Sequence, residues 1–245
     1  MNLNNKTYLI TGATSGIGLE VCYQILKHNG NVIGIGRNLT LLNELLLSYP
    51  NKNSKAIKCD LANNEEIKDL ILKCPELDGL VHSAGFITTM PFNYFSFDKF
   101  IKNRQVNQDS AIIILHLLFE QKKIKKESSV VFLSSINSKF SMKGNSSYAM
   151  TKASLNILSK TLASEFSKKK IRFNCVLPGM VETQITKNAS ENLGKEKIEL
   201  DRKKYPLGYG QTEDVAKPII FLLSNYSKWI TGTELIIDGG RTSTI

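Results

Sequence analysis

Thr7-Tyr8-Leu9-Ile10 runs straight into Thr11-Gly12-Ala13-Thr14-Ser15-Gly16-Ile17-Gly18. This is an apolar, strand-length run, then a glycine-rich turn, then a stretch of helical periodicity. The helix expected over residues 16–29 puts Ile17, Val21 and Ile25 on one stripe and reaches Gly30, a residue suited to a left-handed cap. Similar apolar runs recur at 31–36, 54–59, 79–83, 129–134, 172–177 and 234–237, with helix-period segments between them. Strands that are apolar throughout and alternate with helices predict a parallel sheet covered on both faces and joined by right-handed crossovers. In such sheets a ligand binds beyond the carboxyl ends of the strands, where the strand order reverses. Functional residues are therefore expected just after strands 1, 4, 5 and 6.

The expected fold is α/β, a Rossmann-type doubly wound seven-stranded parallel sheet built as a single domain over residues 1–245. Composition is that of a soluble globular chain, with 42% hydrophobic and 22% charged residues, which leaves no case for a disordered or fibrous protein. The N-terminal residues lack the apolar core of a secretion signal, and the most apolar run, 111–119, is too short to span a bilayer. A cytoplasmic protein with no membrane partner is expected. Cys22, Cys59, Cys74 and Cys175 show no paired spacing and read as buried thiols, and no metal site is expected. The net charge of +10 raises the question of a nucleic-acid partner. Yet the basic clusters at 122–126, 168–170 and 202–204 carry no interleaved aromatics and read as solvated helix ends and a loop, so none is expected.

Glycines in the first turn let backbone N–H groups approach a pyrophosphate, and the following helix N-terminus adds unpaired donors and the positive end of its dipole. The spacing is GxxxGxG and so departs from the general dinucleotide fingerprint. After strand 2, where a carboxylate would hold the free ribose hydroxyls of NAD, the chain has Gly36-Arg37-Asn38. A guanidinium there suits a 2′-phosphate, so NADP(H) is expected to be preferred, with NAD(H) possible. Asp60, after strand 3, is equally suited to meeting an adenine ring or to capping the next helix.

Strand 5 ends in Ser134-Ser135, and farther on come Tyr148 and Lys152, four apart and so on one face of a helix. A free tyrosine, with a pKa near 10, is a sluggish proton exchanger at neutral pH, and an ammonium one turn away is expected to lower that value. Ser135 is placed to donate a hydrogen bond to an oxygen on which negative charge develops. Taken singly, each of these residues has a plainer reading as a cap, a packing group or a solvated lysine.

With these residues in view, the whole chain resembles the short-chain dehydrogenase/reductase family in its compact single-domain branch. The resemblance rests on TGATSGIG at 11–18, Asp60-Leu61, HSAG at 82–85, Asn107, SSI at 134–136, YAMTK at 148–152, LPGMVET at 177–183 and ITGTELIIDGG at 230–240. It implies a catalytic set of Asn107, Ser135, Tyr148 and Lys152, with Tyr148 as acid/base, Ser135 as donor to the substrate oxygen, and Lys152 as tuner of Tyr148 and ribose ligand. It implies cofactor contacts at Gly12, Ser15, Gly16, Ile17, Gly18, Asp60, Leu61, Ala84, Gly85, Pro178, Gly179, Val181 and Thr183, besides Tyr148 and Lys152. One departure is His82-Ser83 where the family commonly has Asn-Asn; His82 reads as a packed strand residue.

What the resemblance implies as activity is hydride transfer between a nicotinamide and a carbonyl or secondary alcohol, most like the 3-oxoacyl-acyl-carrier-protein reductases, whose acidic partner suits a basic chain. Keto-sugar, polyol and steroid-like substrates are the alternatives within that class. A non-catalytic NADP(H)-binding sensor is the alternative outside it. Residues 183–210 match the family's substrate lid, and Phe86, Met90, Phe140, Met142, Met180 and Tyr205 are candidate pocket walls. A homotetramer or homodimer is the quaternary state the resemblance implies.

Overall fold

The computed structural model of the chain describes residues 1–49, 53–140, 142–183 and 195–244. Its sheet has seven parallel strands in the order β3-β2-β1-β4-β5-β6-β7. These are β1 (Thr7–Thr11), β2 (Asn31–Gly36), β3 (Lys55–Lys58), β4 (Leu77–His82), β5 (Ile124–Leu133), β6 (Arg172–Pro178) and β7 (Glu234–Ile237). The order reverses between β1 and β4, which pair in register from Tyr8↔Gly79 to Thr11↔His82. The carboxyl ends of these two strands therefore define the cleft that the sequence predicts.

Eight α-helices lie among the described residues: α1 (Gly16–Lys27), α2 (Thr40–Ser48), α3 (Asn64–Lys73), α4 (Phe97–Arg104), α5 (Ser110–Glu120), α6 (Ser146–Glu165), α7 (Lys195–Arg202) and α8 (Thr212–Leu223). Alternate strand residues supply two cores. Leu9, Leu80, Val130, Phe132 and Phe173 face α3, α5 and α6, whereas Ile10, Val81, Val131 and Val176 face α1, α2 and α8. Two-sided burial is why the strands lack an apolar/polar alternation.

Two details differ from the expected pattern. The left-handed residue after α1 is Asn29 (φ 61°), not Gly30. The Asn29 and Gly30 amides donate to Leu26 and Ile25 carbonyls at 3.0 and 2.9 Å, the paired bonds of a Schellman cap. Gly30 is required for space, because a Cβ there would lie 2.7 Å from Ile25 Cγ2. Strand β5 begins at Ile124, five residues before the apolar run, so Lys125 and Lys126 sit in a strand, not in a helix end or loop. A bulge at Glu127 (φ 64°) explains this, since the register against β4 shifts between Leu77 and Gly79. The four cysteines are free and buried.

Candidate active site

At the switch point the backbone is packed too tightly for side chains. A Cβ on Gly12 (φ 63°) would lie 2.9 Å from Ala84 Cα, and one on Gly18 would lie 2.1 Å from the Gly12 carbonyl oxygen. Ser15 occupies the N-cap of α1 with extended backbone and makes no side-chain cap, so its hydroxyl and the first helical amides border the turn. Thr183 closes the turn from above: a Cβ on Gly16 would meet its methyl at 3.4 Å. Pro178 ends β6, Gly179 packs beside Asp238 and Tyr205, and Val181 bridges to Gly210. Ala84 donates its amide to Thr11 Oγ1 at 3.0 Å, and a Cβ on Gly85 would fall 3.2 Å from both Asn107 Oδ1 and Lys152 Nζ. This bare backbone cradle, with a helix N-terminus aimed into it, fits the pyrophosphate and adenosine half of a dinucleotide.

Around that cradle the remaining cofactor candidates divide. Arg37 follows β2, is exposed, and forms no ion pair among the described residues. The carboxylate of Asp60 accepts the Ala62 amide at 3.0 Å while its own amide donates to Glu66 at 2.7 Å, so it shapes the turn before α3. Its neighbour Leu61 is 8% exposed and belongs to the core.

Ser135, Tyr148 and Lys152 meet at the end of β5, with relative exposures of 8%, 9% and 3%. Ser135 lies beside the Tyr148 phenol and accepts the Asn137 amide at 3.2 Å, capping the short helical turn after β5. The Lys152 ammonium lies 5.8 Å from the Tyr148 ring centre and donates to the Leu133 carbonyl at 2.6 Å. Burial pushes the Tyr148 phenol up to about 12, and the neighbouring Ser135 hydroxyl only partly opposes it. The same desolvation lowers Lys152 to about 8. Burial therefore raises Tyr148 where the sequence predicts a lowering by the ammonium, and the phenol is held in its proton-bearing form at neutral pH.

Asn107 sits in a π-helical turn, Gln105–Asp109, between α4 and α5. Its side chain grips the Phe86 backbone at both ends, Oδ1 accepting the amide and Nδ2 donating to the carbonyl, each at 2.9 Å. Asn103 donates to the same carbonyl at 2.8 Å, and Thr151 donates to Asn103 Oδ1 at 3.4 Å, which joins this brace to α6. The sequence reading missed Asn103 and Thr151; the four-residue spacing of the asparagines on one helical face was the available signal. His82 is fully buried, bonds Thr11 Oγ1 through Nδ1 at 3.1 Å, and is lowered to about 3 by burial, so it is a neutral packed residue as expected.

Of the proposed pocket walls, Phe86 and Met142 are open to solvent, Met180 is half-buried, and Met90 and Tyr205 are buried. Phe140 is partly buried and packs against the α5–α6 core. The lid expected at 183–210 falls partly on residues 184–194, outside the described residues; α7 lies within it. Among the described residues no helix is long and apolar enough to cross a membrane, and no group of three His, Cys, Asp or Glu could hold a metal ion.

The profile of a family described as enoyl-(acyl carrier protein) reductase matches residues 12–242. A 3-oxoacyl-[acyl-carrier-protein] reductase of Rickettsia prowazekii is 34% identical over 244 residues, covering 98% of each chain. A tropinone reductase homolog of Arabidopsis thaliana is 30% identical over 250 residues, covering 98% of this chain and 94% of that one. Among solved structures, a short chain dehydrogenase family protein from Francisella tularensis superposes with a TM-score of 0.87 at 29% identity, over 98% of this chain and 99% of that one. One described as a putative betaketoacyl-ACP reductase gives 0.85 at 26%, over 98% and 100%.

Proposed function

The chain belongs to the short-chain dehydrogenase/reductase family, and from that footing we propose that it is an NADP(H)-dependent reductase of carbonyl groups, with a 3-oxoacyl thioester as substrate. The observation that carries the reading is the buried meeting of Ser135, Tyr148 and Lys152 beside the glycine cradle. Gly12, Ser15, Gly16, Ile17, Gly18, Asp60, Leu61, Ala84, Gly85, Pro178, Gly179, Val181 and Thr183 would hold the dinucleotide, with Arg37 on its 2′-phosphate and Lys152 on its ribose. The nicotinamide, when bound, supplies the hydride that reaches the carbonyl carbon.

The protein groups then divide the proton chemistry. Tyr148 gives its proton to the carbonyl oxygen, completing a secondary alcohol. Ser135 donates a hydrogen bond to that oxygen as charge develops on it. Lys152 stabilises the phenolate left on Tyr148, and Asn107 braces the Phe86 backbone beside it. A phenol that burial keeps protonated is suited to the reducing direction, in which it starts as an acid. A non-catalytic sensor would need only the cradle, so the complete buried set argues against that reading. The 3-oxoacyl choice draws support from the names of the curated relatives and from the chain's net charge of +10, which suits an acidic carrier protein. A cytoplasmic homotetramer is the assembly that goes with this reading.

Lys152 sets the pH dependence. It must be charged to stabilise the phenolate, and its proton is lost as pH rises through about 8. For reduction, kcat/KM is expected to be level below that pH and to fall tenfold per unit above it. A profile level to pH 10 would remove Lys152 from this role.

Cofactor choice tests the reading directly. Titration with NADPH and NADH, followed by nicotinamide fluorescence, is expected to favour NADPH in the native chain. Arg37→Ala is expected to weaken NADPH by about 10- to 100-fold, as loss of a charge-assisted bidentate pair does, and to leave NADH unchanged. Equal binding of both cofactors by the native chain would sink the Arg37 argument. Turnover of acetoacetyl-coenzyme A, set beside keto-sugar, polyol and steroid ketone panels, decides the substrate class.

A further inference from the structure

Tyr148, Lys152, Asn156 and Lys160 recur every four residues along α6 and form one ridge of the helix. The first two belong to the site. The second two meet a cluster that the proposed reaction does not use, centred on Glu234 at the start of the edge strand β7. Lys160 ion-pairs one oxygen of the Glu234 carboxylate and Lys139 ion-pairs the other at 2.7 Å. Asn156 Nδ2 donates to Ser138 Oγ at 2.8 Å and to Glu234 at 3.4 Å. Ser138 Oγ in turn donates to the Ser135 carbonyl at 2.6 Å.

The Glu234 side chain is only 7% exposed, whereas those of Lys139 and Lys160 are 42% and 51% exposed. Burial works to raise its pKa, but the hydrogen bonds and charges of Lys139 and Lys160 win and hold it below the usual carboxylate range. A buried ion pair is weak as a stabilising device, because an apolar side chain of similar size packs as well without the desolvation cost. What this one does achieve is geometric: it joins β7 to the turn that follows Ser135 and to the helix that carries Tyr148 and Lys152.

We propose that Glu234 is a positioning residue, gripping Lys139 and Lys160 so that Ser135 is fixed against Tyr148. Its catalytic consequence rests on the reductase reading; the clamp itself does not. Two measurements on Glu234→Gln separate these. Amide hydrogen exchange is expected to rise about tenfold over residues 134–140 while β1 to β4 keep their protection. With acetoacetyl-coenzyme A, kcat is expected to fall about tenfold, with KM and NADPH binding unchanged, since small misplacements act on the reacting geometry and not on binding. In a Ser135→Ala background the same substitution is expected to cost nothing further, because the two then act as one unit. Lys139→Met, which removes the half of the grip next to Ser135 in the chain, serves if Glu234→Gln does not fold, and is expected to show the same pattern at smaller size.

Unchanged exchange over 134–140 would overturn the clamp. Raised exchange with native kcat, or an undiminished penalty in the Ser135→Ala background, would leave it structural and overturn its positioning role. If the native chain turns over no ketone, the reductase reading fails while the exchange still decides the clamp.

Discussion

Replacing Tyr148 with Phe is expected to lower kcat for ketone reduction by about 10³-fold, within the range that a positioned proton donor contributes, while NADPH binds as before. The substitution removes one oxygen from a side chain that is 9% exposed and leaves the ring in place. Ser135 keeps the Asn137 amide, so the stability change is expected to stay near 1 kcal/mol. Fluorescence titration and a thermal melt check these two conditions, and steady-state kinetics the first. Loss of turnover together with loss of NADPH binding would mean that the phenol serves the cradle and not the reaction. Full activity would place the proton donor elsewhere, and Ser135 would be the next residue to replace.

The fold was legible in the sequence because both faces of the sheet are buried. A strand such as Val130-Val131-Phe132 feeds two cores at once, so it appears as an unbroken apolar run between turn residues. Legibility ended where this condition did. The first half of β5, Ile124 to Ser128, is charged and bulged, and it is a strand only because Leu77 pairs with Ile124 across the register shift. The cap of α1 was placed one residue late for a similar reason: glycine marks both a left-handed conformation and a close contact, and at Gly30 the contact with Ile25 is the operative one.

The site divides in the same way. Tyr148 and Lys152 are close in sequence, so one helix brings them together, and Ser135 is delivered by the end of a strand. Their electrostatics were less legible. An ammonium one turn from a phenol favours a lowered pKa, but desolvation, which depends on everything packed around the pair, reverses the sign. In the sequence Glu234 stands only within a C-terminal strand motif. Its partners Lys139, Asn156 and Lys160 lie far away in sequence, so nothing short of the folded arrangement of β7 against α6 brings the four together.

The other large effect is expected at Gly18, where Gly18→Ala should destabilise the chain by about 3 kcal/mol or more, through overpacking that no rotamer relieves. The added methyl would lie 2.1 Å from the Gly12 carbonyl oxygen and 2.8 Å from its carbon, both backbone atoms in the turn itself. The turn has no room to retreat, because Gly12 already stands against the backbone of Ala84. For a chain of this size the loss corresponds to a fall of about 10 °C in the melting midpoint. NADPH binding is expected to fall with it even below the melt, since the displaced backbone is the proposed pyrophosphate cradle. Gly16→Ala is the matched control. Its Cβ would meet only the Thr183 methyl, at 3.4 Å, so the φ of 52° supplies most of the penalty, about 1 kcal/mol. A ranking with Gly18→Ala well below Gly16→Ala in both midpoint and NADPH affinity follows from crowding, whereas equal effects would assign the glycines to backbone freedom alone. A Gly18→Ala chain that melts and binds like the native one would show that the helix start can slide away from β4, and the turn would then be too compliant to act as a preformed cradle.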